Sequence, residues 1–561
     1  MQSTLYNKTI TIPHGRALGG SSAINGQAFV ATSKVNVDGW GELGNPGWNW
    51  ETLGPYFKKS HTLAVPPSNA ALYEHLHLDY IDPNISGTDG PIKASFPDSI
   101  DNPLPKAWIE TLHALGHKAT GDPFSGNIIG AYTNAACIDP ETRQRSYAAS
   151  AYWKPIQDRT NLTVVTGAHV QKILLQGSPP DVVAVGAQYV HKGETKTASA
   201  KQEVILSAGA LYSPKLLELS GIGDPDLLAS LGIPTVIPNK YVGENLQDHP
   251  MTGLSFEVRD GVETIDDLLR RDPAALEKAM AQYTDSKSGP LAVGGIFSYA
   301  FLPLQDAATN LPEPLLNLSS YPADDAAHNT HPHPLEPAQA AYYDRLLHNP
   351  NESTAGFFTY AAQGNFGSGS GSSLMQSNFQ PGSYYSVAVC LLQPLSRGSA
   401  HIRSADPAAP ARVDPRYLSH PLDLELFARH MTYIATIVDT EPLKSLLKPA
   451  RQGGRRNAAA AAAADLADVA AMREYVRRTT LSSWHPTSTC AMLPGPEAGG
   501  RGVVDARLRV HGARNLRVVD ASVFPVTTRG NPMATVYAVA ERAADLVKED
   551  LRERGRGVGS E

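Results

Sequence analysis

The chain has 561 residues, of which 42% are hydrophobic and 18% charged, with 47 Gly and 43 Pro. This ordinary globular composition excludes global disorder and a collagen-like or coiled-coil rod, and the length suits roughly two to four domains or two large intertwined ones. A net charge of -7 argues against nucleic acid as a partner, and three scattered cysteines (Cys137, Cys390, Cys490) make neither a disulfide framework nor a four-ligand zinc site.

No uninterrupted apolar run reaches the roughly 18 residues of a membrane span, and residues 1–12 lack the charged-then-apolar pattern of a signal peptide. A Gly-rich segment has begun by about residue 15, where a domain is ordinarily still building its first strand or helix. Within it Gly19-Gly20-Ser21-Ser22 is a small-residue turn leading into apolar chain. Glycines let the backbone approach a ligand closely, and the amides that follow suit an anionic or carbonyl oxygen. Read alone, the same residues serve equally as a helix start at Ser21 or Ser22. The aromatic turn Gly47-Trp48-Asn49-Trp50 then precedes a helix predicted over 51–59 and reads as packing.

Three strands are predicted over 162–165, 170–175 and 182–190, rich in β-branched residues and separated by turns, as an antiparallel excursion. A buried strand within 201–210 ends in a small-residue turn and enters a helix over 211–221. Ser213 is the expected N-cap, Pro214 the first helical residue and Gly221 the end. Strand, tight turn and helix is the arrangement of a doubly wound α/β nucleotide fold.

The middle of the chain is richer in Pro, Asp and His. His328, His331 and His333 fall in a polar, turn-rich run without helical spacing, which reads as a solvated loop, and no metal site is expected. The Gly/Ser run at 364–373 reads as a loop, 384–392 as a buried strand, and the poly-Ala run at 458–464 as a helix or low-complexity insertion. Near the C-terminus, His485-Pro486 follows Trp484, a strand over 516–522 ends in Asp520 and Ala521, and Asn531-Pro532 opens a helix. A lone His before Pro is more often a packed or capping residue than a catalyst, and a lone capping Asn is no more specific.

Their order along the chain is more specific than any one of them. Gly15-Arg16-Ala17-Leu18-Gly19-Gly20-Ser21-Ser22-Ala23-Ile24-Asn25-Gly26, the run from Gly209 to Gly223, and Val242-Gly243-Glu244-Asn245-Leu246-Gln247-Asp248-His249-Pro250 resemble successive signatures of the glucose–methanol–choline oxidoreductases. Pro394-Leu395-Ser396-Arg397-Gly398-Ser399 and Asp414-Pro415-Arg416-Tyr417-Leu418 resemble the opening of that family's C-terminal region. The family comprises FAD-dependent alcohol oxidases and dehydrogenases. The resemblance implies an α/β fold in which a doubly wound FAD-binding domain is intertwined with an α+β substrate domain built on an antiparallel sheet. The expected division is 1–60, 130–255 and 480–561 for FAD, and 61–129 and 256–479 for substrate.

By the same resemblance, His485 matches the histidine that takes or relays the substrate hydroxyl proton, and Asn531 matches the second active-site position. Gly19, Gly20, Ser21, Asn25, Gly26 and Ala28 match the loop against the flavin, Val170 the adenine side, and Asp520, Ala521 and Pro532 the pyrophosphate and flavin. Ile24 stands about where some members attach flavin through His, so the FAD is expected to be non-covalent. Ser488 replaces a Gly usual in the family. The implied reaction passes hydride from a small-molecule alcohol to flavin, with O2 or another electron acceptor closing the cycle, in secondary metabolism. The rival readings are a flavin-containing lyase of the same fold and a non-catalytic homologue. The last follows from an absence: the family's opening strand, Gly-x-Gly-x-x-Gly turn and helix is not found, and the expected fold lacks that unit. Asn-x-Ser/Thr triplets at Asn7, Asn84, Asn161, Asn317 and Asn351 leave the compartment open.

Overall fold

The computed structural model describes residues 2–98, 100–295, 298–304, 337–366, 379–449 and 466–557. His328, His331 and His333, the poly-Ala run at 458–464 and most of the Gly/Ser run at 364–373 lie outside the described residues.

A six-stranded antiparallel sheet runs in the order Leu481–Ser482, Pro250–Glu257, Tyr384–Leu391, Ala355–Tyr360, Ser298–Leu302, Gly130–Thr133. Its four central strands are buried along their whole length. A sheet covered on both faces loses the polar alternation of a half-exposed one; here the alternation is one of shape. On one face Tyr132, Tyr299, Phe358 and Ala388 stand opposite one another across four strands, beside Phe301, Tyr360 and Cys390. Ring centroids lie 5.7 Å apart for Tyr299–Phe301 and 5.9 Å for Tyr299–Phe358, each pair adding about 1 kcal/mol beyond burial. The other face, with Ala300, Phe357, Val387 and Val389, joins the main core and the helices Pro103–Ala114 and Pro421–Val438.

Next to this sheet, Val204–Leu206 pairs in parallel with Leu516–Val518, and the turn after it enters the helix Ser213–Leu219. Strand, turn and helix thus form where the sequence places them, with one correction. Ser213 opens the helix behind Tyr212 and does not cap it; its hydroxyl donates to Asp520 Oδ2 at 2.5 Å. A buried carboxylate on the neighbouring strand end attracts that hydroxyl more strongly than the helix's own amides do. The excursion forms from Ala168–Gln176, Val182–His191 and Glu194–Ser199, antiparallel throughout. The strand expected over 162–165 does not form: the segment is irregular, and Leu162, Val164 and Val165 are 38%, 40% and 46% exposed. β-Branched residues favour a strand only when a neighbour supplies the ladder and covers a face. The Gly-Gly-Ser-Ser segment is a single 3-10 turn, Gly20–Ala23, rather than the start of an α-helix.

His401 joins the front of the chain to its C-terminal region. Its Nδ1 lies 2.6 Å from Glu218 Oε1 on the helix Ser213–Leu219, and its Nε2 lies 2.9 Å from Glu244 Oε1. Gly243, at φ +82°, permits this closeness: a Cβ there would meet Ala400 O at 2.5 Å and His401 Nδ1 at 2.7 Å. Burial opposes charge on the ring, but the two carboxylates outweigh it and raise the pKa to about 10. A folded pKa above the unfolded 6.5 makes a contribution fully present below pH 6.5 and lost as the pH rises through about 10. We expect His401→Phe to lower the unfolding free energy by about 3 kcal/mol at slightly acid pH and to flatten the decline in wild-type stability toward pH 10. Thermal melts of both proteins across that range check it; parallel curves would refute the assignment.

Candidate active site

His485 and Asn531 meet: Asn531 Nδ2 lies 3.2 Å from His485 Nε2, although 46 residues separate them. Both side chains are half-buried. His485 follows the short strand Leu481–Ser482 through Trp484, which takes a left-handed φ of 60°. The turn is clamped by Asp248, whose Oδ1 accepts the His485 main-chain N–H at 2.8 Å. Asp248 Oδ2 accepts the Ser482 hydroxyl at 2.5 Å and also the Tyr417 hydroxyl. Burial raises the Asp248 carboxyl to about 6, and these donors limit the rise. The ring itself is held from the other side, where His249 Nδ1 lies 2.9 Å from His485 Nδ1. Burial, and then the neighbouring His249, push the His485 pKa well below the ordinary 6.5, so the imidazole is neutral at pH 7 with one nitrogen free to accept.

Asn531 follows Gly530, whose φ of 148° is closed to side-chain residues; a Cβ there would approach Ala31 O at 3.1 Å. The preceding Arg529 amide donates to Thr32 Oγ1 at 2.8 Å, and the Asn531 side chain lies close enough to Tyr299, on the aromatic sheet face, to favour its ionised form slightly against the dominant effect of burial. Pro532 accepts the Val536 N–H at 2.9 Å just before the helix Met533–Gly557. The helix therefore begins after Pro532, and the Asn531 side chain turns to the histidine.

The early loop reaches the same place. Asn25 Nδ2 donates to Met533 Sδ at 2.9 Å, and Asn25 Oδ1 accepts from Arg145 Nη1 at 2.7 Å. Ser21 Oγ accepts the Gly15 N–H at 3.1 Å, and Ser22 Oγ donates to Gly19 O at 2.5 Å. A Cβ built on Gly20 or on Gly26 meets no atom within 4 Å, so the loop leaves room for a flat ligand at both positions. Asp520 ties in the second strand end: Oδ2 accepts the Gly209 N–H at 2.9 Å, and Oδ1 caps the turn at Ser522 N at 2.8 Å. Ala521 O accepts the Ser488 N–H at 3.1 Å. Ser488 takes φ 77°, a left-handed conformation that costs a side-chain residue about 1–2 kcal/mol. Ala28 is buried under the aromatic face. Val170 stands apart, half-buried on the excursion strand opposite Tyr189.

Sequence reasoning gave no role to Asp248, His249, Tyr299 or Tyr417. The signals were faint: an adjacent acid and imidazole ahead of Pro250, and aromatics two residues apart at Tyr299/Phe301 and Phe358/Tyr360, which are ordinary core spacing.

Two family models described as GMC oxidoreductase match residues 2–251 and 394–540. The chain belongs to the GMC oxidoreductase family. Dehydrogenase mpl7 of Monascus purpureus is 35% identical over 560 residues, covering 97% of this chain and 85% of the relative. An FAD-dependent oxidoreductase from Chaetomium thermophilum superposes with a TM-score of 0.83 at 29% identity, over 98% of this chain and 89% of that one. A fungal aryl-alcohol oxidase does so at 0.81 and 28%, over 98% and 88%. This GMC oxidoreductase is an enzyme, its cofactor is FAD, and it carries the FAD-binding and substrate-domain fold. The N-terminal match begins at residue 2, so the expected absence of the dinucleotide-binding unit finds no support in it.

The residues present fit that cofactor: the open glycines 20 and 26 leave room for a flat ring, and Asn25 of the loop bonds Met533, two residues beyond Asn531. Gly26→Val should fill the space and lower the flavin content of the purified protein, with far-UV circular dichroism unchanged. The ratio of flavin to protein absorbance measures it, and full flavin loading in the variant would contradict this placement.

Proposed function

We propose that the chain oxidises an alcohol to an aldehyde or ketone, with His485 as proton acceptor and Asn531 as hydrogen-bond donor to the substrate oxygen. The observation that carries this reading is the 3.2 Å pairing of His485 Nε2 with Asn531 Nδ2 beside the open early loop. An oxygen placed at that pair meets an acceptor and a donor together. Bound FAD supplies the hydride acceptor. Gly19, Gly20, Ser21, Asn25, Gly26 and Pro532 would face it, with Asp520 and Ala521 supporting its phosphate end, and Ile24 offers no nucleophile for a covalent link.

The proton moves from the substrate hydroxyl to His485 Nε2, and a neutral imidazole, kept neutral by burial, is suited to take it. As the hydroxyl ionises, the Asn531 amide donates to the oxygen that gains negative charge, which a fixed dipole does without reorganising. The C–H electron pair leaves as hydride, the proton leaves to the histidine, and the C=O bond forms; bound FAD would supply the acceptor for the hydride, with O2 or another electron acceptor closing the cycle. The division into an FAD-binding part (1–60, 130–255, 480–561) and a substrate part (61–129, 256–479) goes with this reading, and the sheet places strands of both parts side by side.

The substrate class we favour is an aromatic alcohol. Tyr299, which lies near Asn531, belongs to a row of rings with Phe301 and Phe358, and half-buried Trp484 packs against the same cluster. Such a wall stacks on a flat apolar body and leaves its carbinol to the polar pair. The similarity to an aryl-alcohol oxidase supports it.

Anaerobic bleaching of the visible flavin band, followed over a panel of aromatic and aliphatic alcohols, tests the reading. His485→Ala should slow bleaching by about 10²–10⁴-fold and Asn531→Ala by about 10²-fold, with flavin content retained. Rates equal to wild type in His485→Ala would end it.

A further inference from the structure

Both ring nitrogens of His249 are engaged. Nε2 lies 2.9 Å from the Thr528 carbonyl oxygen. A carbonyl only accepts, so that nitrogen carries the proton. Burial, against the smaller pull of the backbone carbonyls, lowers the His249 pKa to about 4, and at neutral pH the ring therefore holds one proton. Its Nδ1 is a bare acceptor, 2.9 Å from His485 Nδ1, with the rings at 85° to each other.

A bare acceptor at that distance requires a donor opposite it. His485 therefore carries its proton on Nδ1, and its Nε2 keeps the lone pair that meets the Asn531 N–H at 3.2 Å. The other tautomer fails at both ends: two lone pairs would face each other across 2.9 Å between the Nδ1 atoms, and two N–H groups across 3.2 Å at Asn531. Free imidazole prefers its proton on Nε2, the arrangement that would block proton acceptance at the substrate side.

We propose that His249 is a positioning residue that sets the tautomer of His485, transmitting the direction of the Thr528 carbonyl through its own ring so that Nε2 of His485 faces the substrate as a lone pair. The consequence for turnover rests on the reading of His485 as proton acceptor; the tautomer itself does not. Thr528 lies three residues before Asn531, so the segment that supplies the amide donor also dictates which nitrogen of His485 will accept. The acceptor is thereby ready before substrate arrives.

The experiment is nitrogen-15 NMR of the FAD-loaded protein labelled at histidine, with the His485 signals identified by their loss in His485→Gln. Wild type should show a protonated Nδ1 and a bare Nε2 at His485. His249→Leu, matched to the ring in apolar bulk, should shift the signals toward the Nε2–H form and lower kcat by at least about 10²-fold, since loss of a tautomer-fixing partner costs up to ~10⁴ in kcat, with KM little changed. His249→Asn places an amide oxygen where Nδ1 stands and should recover both the tautomer and most of the rate. An Nε2–H signal at His485 in wild type would overturn the proposal, as would a leucine variant that keeps both the wild-type tautomer and the wild-type kcat. Should the leucine variant not fold, the wild-type and asparagine spectra still decide it. If His485→Ala turns over alcohols like wild type, the reading of the function falls alone, while the nitrogen signals still report the tautomer.

Discussion

One imidazole is held by two successive residues. Asp248 takes the main-chain N–H of His485, and His249 takes its ring, so the backbone and the side chain of the same residue are fixed from adjacent points on one strand end. Neither hold survives in isolation. Asp248 is a buried carboxylate that needs the hydroxyls of Ser482 and Tyr417 to keep its charge tolerable. His249 needs the Thr528 carbonyl to decide which of its nitrogens donates. Burial is what gives these bonds direction, because in water each partner would exchange with solvent and the tautomer would drift.

The sheet supplies the rigidity behind that arrangement. Pro250–Glu257 begins at the residue after His249, and Leu481–Ser482, which leads to His485, is its edge neighbour, with Pro250 opposite Ser482. Two paired strands therefore carry His485 and the residues that hold it. The same sheet carries Tyr299, on Ser298–Leu302, close to Asn531, so both sides of the pair rest on one buried layer. Fully covered strands are the stiffest part of such a molecule, and a hydrogen-bonded pair of side chains supported by them drifts little. The strain accepted nearby, at Trp484 and Ser488, lies in the turns that carry the histidine from this sheet to the strand end at Ala521.

The glycine-rich loop shows how a weak local signal gains meaning from its neighbours. Taken alone, Gly19 to Ser22 served equally as a helix start. In the fold it is a short turn whose Asn25 reaches Met533, two residues beyond Asn531, and which leaves open space at Gly20 and Gly26. Asp520 likewise looked like a residue at the end of a strand, and in the fold it gathers a backbone amide, a helix-opening hydroxyl and its own turn.

The order of the motifs along the chain carried the resemblance to the family, and through that resemblance came the flavin cofactor and the expectation that His485 and Asn531 share a site; the fold brings the two together. The helix at Ser213–Leu219, the excursion strands and the buried strand Tyr384–Leu391 were legible because propensity and periodicity act over a few residues. Residues 162–165 had the composition of a strand and formed none, since a ladder needs a partner that composition does not name. Only the tertiary structure decided which titratable groups face one another. Asp248 and His249 were visible as letters ahead of a proline, but a hydrogen bond from His249 to a carbonyl 279 residues away, and hence the side on which His485 keeps its lone pair, exists only once the sheet has closed.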